Sequence, residues 1–192
     1  MAFAKVLKKY RELSFSERDK GNRFERLIQA YLYTDPKYKH LEKIWLWNEF
    51  PYRNSLGGGD TGIDLVAQTV EGDYWAIQCK CYQDDARISK EEVDTFLSTS
   101  GRSFEDSSSN RVKFSNRLWV STTNKWTSTA NDTLRHQDPP VTRINLTDLE
   151  EAPVDWLKID EGIYGEKART AKKQLRFHQK DALEKTKTYF DL

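Results

Sequence analysis

Two short runs of alternating apolar and polar residues, 63–69 and 74–81, are separated by a Val-Glu-Gly-Asp turn. Two such runs around a short turn with glycine are typical of an antiparallel β-hairpin. Alternate side chains of a strand point to opposite faces, so Gln78 and Lys80 share one face. When the strands pair, Asp64 can join them on that side, next to the preceding glycine-rich loop. The hairpin therefore predicts a sheet with a polar site at one strand end.

Helical and strand patterns alternate along the rest of the chain. Apolar residues recur at helical spacing in two N-terminal segments, and Asp35-Pro36 ends the second, because the residue before proline avoids the helical region. Ser89, followed by Glu92 three residues on, is typical of a capped helix start. The predicted elements are helices around 3–13 and 24–32, strands at 43–49, 63–69 and 74–81, a helix at 89–100, a strand at 117–123, a helix at 128–137 and a strand at 141–146. This order indicates the α/β class, with a mixed sheet covered by helices.

The composition indicates a soluble globular protein. The 192 residues include six Trp, nine Tyr and nine Phe, which are enough for one sizeable core. The N-terminus lacks a continuous apolar segment and no window reaches the length of a membrane span, so we expect a cytoplasmic protein without a membrane partner.

Cysteine and histidine usage argues against two other classes of site. Cys79 and Cys81 are the only cysteines, so a disulfide framework is excluded. The three histidines are scattered and none has a metal-ligand spacing, which makes a zinc site unfavourable. We interpret the cysteines as small packing residues.

Net charge is +1, so any polyanion-binding face must come from the distribution of charge. Basic residues concentrate in two places: Arg18, Lys20, Arg23 and Arg26 at one helix start, and Lys167, Arg169, Lys172, Lys173, Arg176 and Lys180 near the C-terminus. Charge runs are usually solvated faces, so this distribution alone gives weak support for DNA binding.

The polar residues of the hairpin suit metal-assisted hydrolysis. The Asp64 carboxylate and the Gln78 amide oxygen are hard-oxygen donors that Mg²⁺ accepts, and the backbone carbonyl of Cys79 is a third candidate. A charged Lys80 cannot ligate a metal, but it can orient a water and neutralise charge that develops on a phosphate. An equally simple interpretation is that these residues form the solvent face of an amphipathic hairpin.

The motif D64-x13-Q78-C79-K80, introduced by GGGDTGID and preceded by F24-E25 in a helix, resembles the Mrr-like branch of the PD-(D/E)xK nucleases. The resemblance implies a restriction-endonuclease-like mixed β-sheet flanked by helices and Mg²⁺-dependent cleavage of duplex DNA. It implies that Asp64 is the central metal ligand, Gln78 the second ligand, Lys80 the catalytic lysine and Glu25 a helix-borne carboxylate that helps to bind metal or water.

Three further points concern residues around this motif. Asp60 fits a glycine-loop turn or a supporting contact better than a central role. Arg53, Arg87 and Lys90 are candidate DNA-phosphate contacts, which position a duplex without reading its sequence. Glu25 is also consistent with a solvated flank of its helix.

The C-terminal segment LRFHQKDAL, residues 175–183, resembles the Q-motif of superfamily 2 helicases, in which Gln179 would contact the adenine of ATP. No P-loop follows before Leu192, so we expect ATP to bind only with a further motor domain. A nuclease directly before such a motor resembles the Type ISP restriction-modification enzymes. This resemblance implies nonspecific cleavage, helicase/translocase and methyltransferase domains in the same polypeptide, and a second nuclease domain as a candidate partner.

The expected organisation is an N-terminal helix at 1–15, a nuclease domain at 16–160 and a connector at 161–192. Two alternatives stay open. One is a structure-specific nuclease that resembles the archaeal Holliday-junction resolvases, which a preference for four-way junctions and an obligate dimer would favour. The other is a catalytically silent DNA-binding or coupling module.

Overall fold

The protein is described from a computed structural model that covers residues 2–59, 62–83 and 85–170, together with 181, 182, 185, 186 and 189. Asp60 and most of the Q-motif-like segment, including Gln179, lie outside the described residues. Within the described part of the chain, no helix combines the length and the apolar character that crossing a membrane requires.

Six helices and six strands form the described fold. The helices are α1 Ala2–Leu13, α2 Glu17–Thr34, α3 Lys90–Ser100, α4 Ser128–Thr133, α5 Leu146–Glu151 and α6 Trp156–Asp160. The strands are β1 Leu41–Leu46, β2 Leu65–Thr69, β3 Tyr74–Lys80, β4 Ser103–Glu105, β5 Arg111–Ser121 and β6 Val141–Ile144. Short 3₁₀-helices occur at Pro36–Tyr38, Trp47–Glu49, Arg53–Leu56 and Gly165–Ala168.

The strands form one mixed sheet. Its order is β1-β2-β3-β5-β4, and β6 also pairs with β5. The β1–β2 and β2–β3 pairs are antiparallel, whereas β5 runs parallel to both β3 and β6. This arrangement confirms the predicted hairpin and the predicted mixed sheet flanked by helices.

Side chains of the central strands alternate between two apolar clusters. One cluster joins residues such as Leu65, Ile77 and Val120 to α1, α2, α5 and α6. The other joins Val66 and Trp119 to α3 and α4. Because both faces are covered, α2 and α3 lie on opposite sides of the sheet and both reach the end of β3.

Local signals explain the two helices that matter most for this position. Ser16 caps α2 by accepting a hydrogen bond from the Asp19 N–H, at 3.1 Å. Ser89 and Glu92 form the predicted capping box at the start of α3. Asp35 caps the end of α2 immediately before Pro36.

Several boundaries differ from the sequence predictions. The first strand is residues 41–46, and residues 47–49 form a 3₁₀-turn instead of extending it. The fifth strand begins at residue 111, six residues earlier than predicted, because the polar segment forms a hairpin with β4. Helix α4 ends at Thr133 instead of reaching residue 137. Polar residues in an edge hairpin lack the apolar signal that marks central strands.

Trp156 connects α6 to the apolar core. Its side chain is 2% exposed, its ring centroid lies 4.6 Å from that of Phe3, and its indole N–H donates to the Leu149 carbonyl at 2.8 Å. We predict that Trp156→Ala lowers the free energy of unfolding by about 3–5 kcal/mol, because it leaves a large cavity. Urea denaturation measures the change.

The neighbouring Leu157 provides the matched control, because its side chain is 46% exposed. Leu157→Ala should change stability by less than about 0.5 kcal/mol. A loss of stability for Trp156→Ala as small as that expected for Leu157→Ala would show that α6 is not part of the cooperative core.

Candidate active site

The Asp64 carboxylate stands where the strands of the hairpin separate. The Asp64 N–H donates to the Ile77 carbonyl at 2.9 Å, and the Asp64 carbonyl accepts from the Trp47 N–H at 2.7 Å. Its Oδ2 then accepts the Cys79 N–H at 2.7 Å and the side-chain amide of Gln78. The carboxylate thus takes the place of the next backbone hydrogen bond between β2 and β3, which fixes its position.

The residues Gln78, Cys79 and Lys80 occupy the last three positions of β3. Gln78 is 3% exposed and stands beside Trp119 in the parallel register with β5. The N–H and C=O of one strand residue point to the same side, so the Cys79 carbonyl faces the side on which Asp64 lies. Among the described residues, the Lys80 ammonium makes no hydrogen bond or ion pair, so it is available to a ligand.

A cleft of about 700 Å³ opens at this strand end. Its described lining residues come from α2, the hairpin and α3: Glu17, Lys20, Gly21, Glu25, Gly62, Asp64, Gln78, Cys79, Lys80, Cys81, Glu91, Glu92 and Thr95. All four residues that the sequence predicted as catalytic, Glu25 included, are therefore brought together. Arg53, Arg87 and Lys90 are not among the lining residues. Lys90 pairs with Asp94 on the surface of α3.

The charges around Cys79 reflect this convergence. Burial, followed by the negative charges of Asp64 and Glu25, raises the pKa of the Cys79 thiol well above its ordinary value, whereas the Lys80 charge lowers it. Cys79 therefore stays a neutral packing residue, as the sequence suggested. Asp64, Glu25 and Lys80 thus all lie close enough to the end of β3 to act on this thiol.

The described lining residues include five carboxylates and two lysines. This excess of negative charge favours a cation in the cleft. In the described part of the chain, no three or more His, Cys, Asp or Glu side chains are placed to hold a metal ion. The available donors at the strand end are one carboxylate, one amide and one backbone carbonyl, a set of hard oxygens that fits Mg²⁺.

The restriction-endonuclease family model Mrr_cat_2 matches residues 33–166. The chain belongs to this family. A solved structure of the ATP-dependent Type ISP restriction-modification enzyme LlaBIII bound to DNA is similar, with 28% identity and a TM-score of 0.57, over 88% of this chain and 10% of the LlaBIII chain. The chain thus spans about a tenth of that protein.

Two further solved structures show weaker likeness. The DNA modification-dependent restriction endonuclease AspBHI matches with 18% identity and a TM-score of 0.46, over 96% of this chain and 38% of its own. The MspJI restriction endonuclease in complex with a 27-mer oligonucleotide matches with 18% identity and a TM-score of 0.44, over 77% and 30%. Among the curated proteins, none matches the chain significantly.

The structure adds cleft residues that the sequence analysis missed in this Mrr-type restriction-endonuclease domain. Glu17 and Gly21 precede the predicted Glu25 at intervals of four residues along α2, and this spacing could have indicated a common face. On α3, Glu92 is held by the Ser89 N–H and by the Tyr82 hydroxyl, so the capping residue also shapes the cleft wall.

Gly62 sets how the chain enters the site. Its φ is +76°, and an added Cβ would lie 3.0 Å from Thr95 Cγ2 and 3.2 Å from the Phe96 backbone nitrogen. The chain therefore turns directly against α3 before Asp64. After this turn Ile63 packs in the same cluster as Val66, whereas Leu65 packs in the other cluster, so the regular alternation of β2 does not extend back to Ile63.

We predict that Gly62→Ala lowers the free energy of unfolding by more than Gly72→Ala, as measured by urea denaturation. Both glycines have positive φ, so both substitutions carry backbone strain of about 1–2 kcal/mol. Among the described residues, an added Cβ on Gly72 has no neighbour within 4 Å, so only Gly62→Ala adds a clash with α3. Equal losses would mean that the contact with α3 is unimportant.

Proposed function

We propose that this chain is the Mg²⁺-dependent nuclease domain of a larger ATP-driven restriction-modification enzyme, and that it cleaves duplex DNA nonspecifically. The observation that supports it most directly is the position of Asp64, Gln78, Cys79 and Lys80 at one strand end, facing Glu25 across a single cleft. Membership of the restriction-endonuclease family supports the reaction class.

The ligand roles follow from the donors on β3 and its neighbours. Asp64 is the central carboxylate, while the Gln78 amide oxygen and the Cys79 carbonyl complete the hairpin side of the site. Glu25 faces them from α2 and helps to hold metal or water. Gln78 directs its amide nitrogen at Asp64 in this structure, and rotating the amide by a half-turn presents its oxygen instead. A divalent cation between the Gln78 amide oxygen and the Asp64 carboxylate would stabilise this orientation.

The bound metal would supply Lewis-acid activation of a water and of the scissile phosphate. Lys80 orients the attacking water and neutralises the charge that develops on the phosphate, because it follows Cys79 on β3 and lines the same cleft. The packed strands hold these groups in place before DNA binds, which reduces the rearrangement that the reaction requires.

The proposed DNA contacts outside the cleft are Arg53, Arg87 and Lys90. Arg87 is exposed in the loop between β3 and α3, and Lys90 is the first residue of α3, directly before the cleft residue Glu91. Arg53 begins a 3₁₀-helix ahead of the glycine loop. Phosphate contacts of this kind position a duplex without specifying its sequence, which agrees with nonspecific cleavage.

The likeness to LlaBIII supports the larger assembly. We propose that a helicase/translocase and a methyltransferase belong to the same polypeptide, that Gln179 contacts ATP there, and that a second nuclease domain is a partner for cutting both strands. The domain limits at 15/16 and 160/161 remain predictions. Helix α1 packs in the same apolar cluster as α2, and Ala168 is a buried member of that cluster.

We predict that Gln78→Glu makes stability depend on metal. Without a divalent ion, a second carboxylate replaces the hydrogen bond to Asp64, so the free energy of unfolding should fall by about 1–3 kcal/mol. Mg²⁺ at ten times its dissociation constant should restore about 1.4 kcal/mol. Thermal denaturation with EDTA and with a Mg²⁺ series measures both effects, and a variant that Mg²⁺ does not stabilise would contradict this metal site.

We predict that Lys80→Ala in the intact protein lowers DNA cleavage at least about 100-fold, since the lysine assists the reacting groups directly. Plasmid nicking and linearisation, with ATP-driven translocation monitored in parallel, provide the measurement. Lys43→Ala is the matched control, because Lys43 is exposed on β1 and pairs with Gln68 at the opposite end of β2.

Full cleavage by Lys80→Ala with translocation intact would refute the nuclease assignment. A strong preference of the wild-type protein for four-way junctions over linear duplex would instead favour a structure-specific nuclease.

A further inference from the structure

Helix α2 contributes Glu17, Lys20 and Gly21 to the cleft, and the proposed chemistry uses none of them. Gly21 lies in the interior of this 18-residue helix, and Lys20 precedes it. Both line the same cleft as Asp64 and Lys80. They lie outside residues 33–166, the part that the family model matches.

Local structure does not account for the glycine at position 21. Glycine is one of the least favourable residues in a helix interior. Gly21 has helical backbone geometry, so no positive φ requires it. Apart from the helix's own backbone, the only described heavy atom that an added Cβ would approach within 4 Å is Glu25 Oε1, at 4.0 Å. What the glycine provides is a bare helix surface, which lets another backbone come close.

Lys20 places a positive charge next to this bare surface. It is 4% exposed, although lysine is rarely so buried, and its ammonium pairs with Glu17 at 2.5 Å. The Glu17 side chain is 83% exposed, so the pair lies at the mouth of the cleft. A lysine in such a position can exchange a carboxylate partner for a phosphate.

We propose that the sugar-phosphate backbone of one DNA strand lies against α2 at Gly21, and that Lys20 contacts a phosphate of that strand. The inference rests on the proposed nuclease function and deepens it: the β-hairpin supplies the reacting groups, while α2 supplies the surface that holds the strand. Lys20 and Gly21 are thus positioning residues, because they determine where the DNA strand lies in the cleft.

The decisive comparison is Gly21→Ala against Asn22→Ala, with binding of a short DNA duplex to the chain measured by fluorescence anisotropy in EDTA. Both substitutions favour the helix, and Asn22 is exposed outside the cleft lining. Gly21→Ala should raise the thermal unfolding midpoint by about 2–4 °C. It should nevertheless raise the dissociation constant for DNA at least about tenfold, since the methyl group occupies the approach surface.

Asn22→Ala should leave DNA affinity within about twofold of wild type, as expected for a surface change. Equal DNA affinity of the Gly21→Ala and Asn22→Ala variants would overturn the proposed approach surface. A wild-type chain that fails to bind duplex at low salt would overturn it as well.

The role of Lys20 is tested through the salt dependence of binding. Lys20→Met should reduce the slope of log affinity against log salt by about 1, and Lys20→Arg should retain the slope.

Glu17→Gln should tighten DNA binding, because it removes a negative charge and releases Lys20. If Lys20 only neutralised nearby carboxylates, Lys20→Met would lower the unfolding midpoint and leave the slope unchanged, which would overturn the contact. Should Lys20→Met fail to fold, the DNA affinity of Glu17→Gln provides the test. An affinity equal to that of wild type would overturn the proposed contact between Lys20 and a phosphate.

Failure of this inference can be distinguished from failure of the proposed function. Binding in EDTA reports on α2 without cleavage, whereas Lys80→Ala reports on cleavage in the intact protein. Normal cleavage that depends on Lys80, together with unchanged binding by Gly21→Ala, would retain the nuclease and remove only the α2 surface.

Discussion

The hydrogen bonds that the Asp64 carboxylate accepts from Cys79 and Gln78 determine the geometry of the site. They take the place of backbone hydrogen bonds between β2 and β3 at the point where the two strands separate. The gap between the strands therefore has a fixed geometry. The Cys79 N–H and the buried Gln78 amide would otherwise lack these partners, and an unsatisfied buried group costs about 1–3 kcal/mol. The residue that is proposed to bind metal is therefore also a structural element of the hairpin.

The layering of the fold explains why the cleft has two helical walls. The sheet is covered on both faces, and each apolar cluster holds one helix at the end of β3. The N-terminal part of α2 lies on one side of that end and α3 on the other. Gly62, in close contact with α3, sets the path of the loop into Asp64. The proposed catalytic groups thus rest on rigid elements, which is what a preorganised site requires.

The charge of the cleft connects the metal proposal to the DNA proposal. The five carboxylates among its described lining residues, against two lysines, weaken the binding of a polyanion by repulsion, and bound cations reduce that repulsion. A bound divalent ion and the two lysines would offset that repulsion from opposite sides, with Lys80 on the hairpin and Lys20 on α2. Gly21 fits the same picture, because a helix that receives a phosphate backbone benefits from a position without a side chain.

Much of this protein could be predicted from local sequence signals. Alternation and turn chemistry predicted the hairpin, the capping residues predicted the start of α3, and the spacing of Asp64, Gln78 and Lys80 predicted their convergence, because strand geometry has a fixed period of two. The β4–β5 hairpin could not be found in this way, since its polar residues carry no periodic signal. That Lys20, Gly21 and the α3 carboxylates line the same cleft could not be predicted either. Their position in the cleft depends on how α2 and α3 pack on opposite faces of the sheet, and that packing joins residues about 40 to 70 positions apart through contacts that local patterns do not encode.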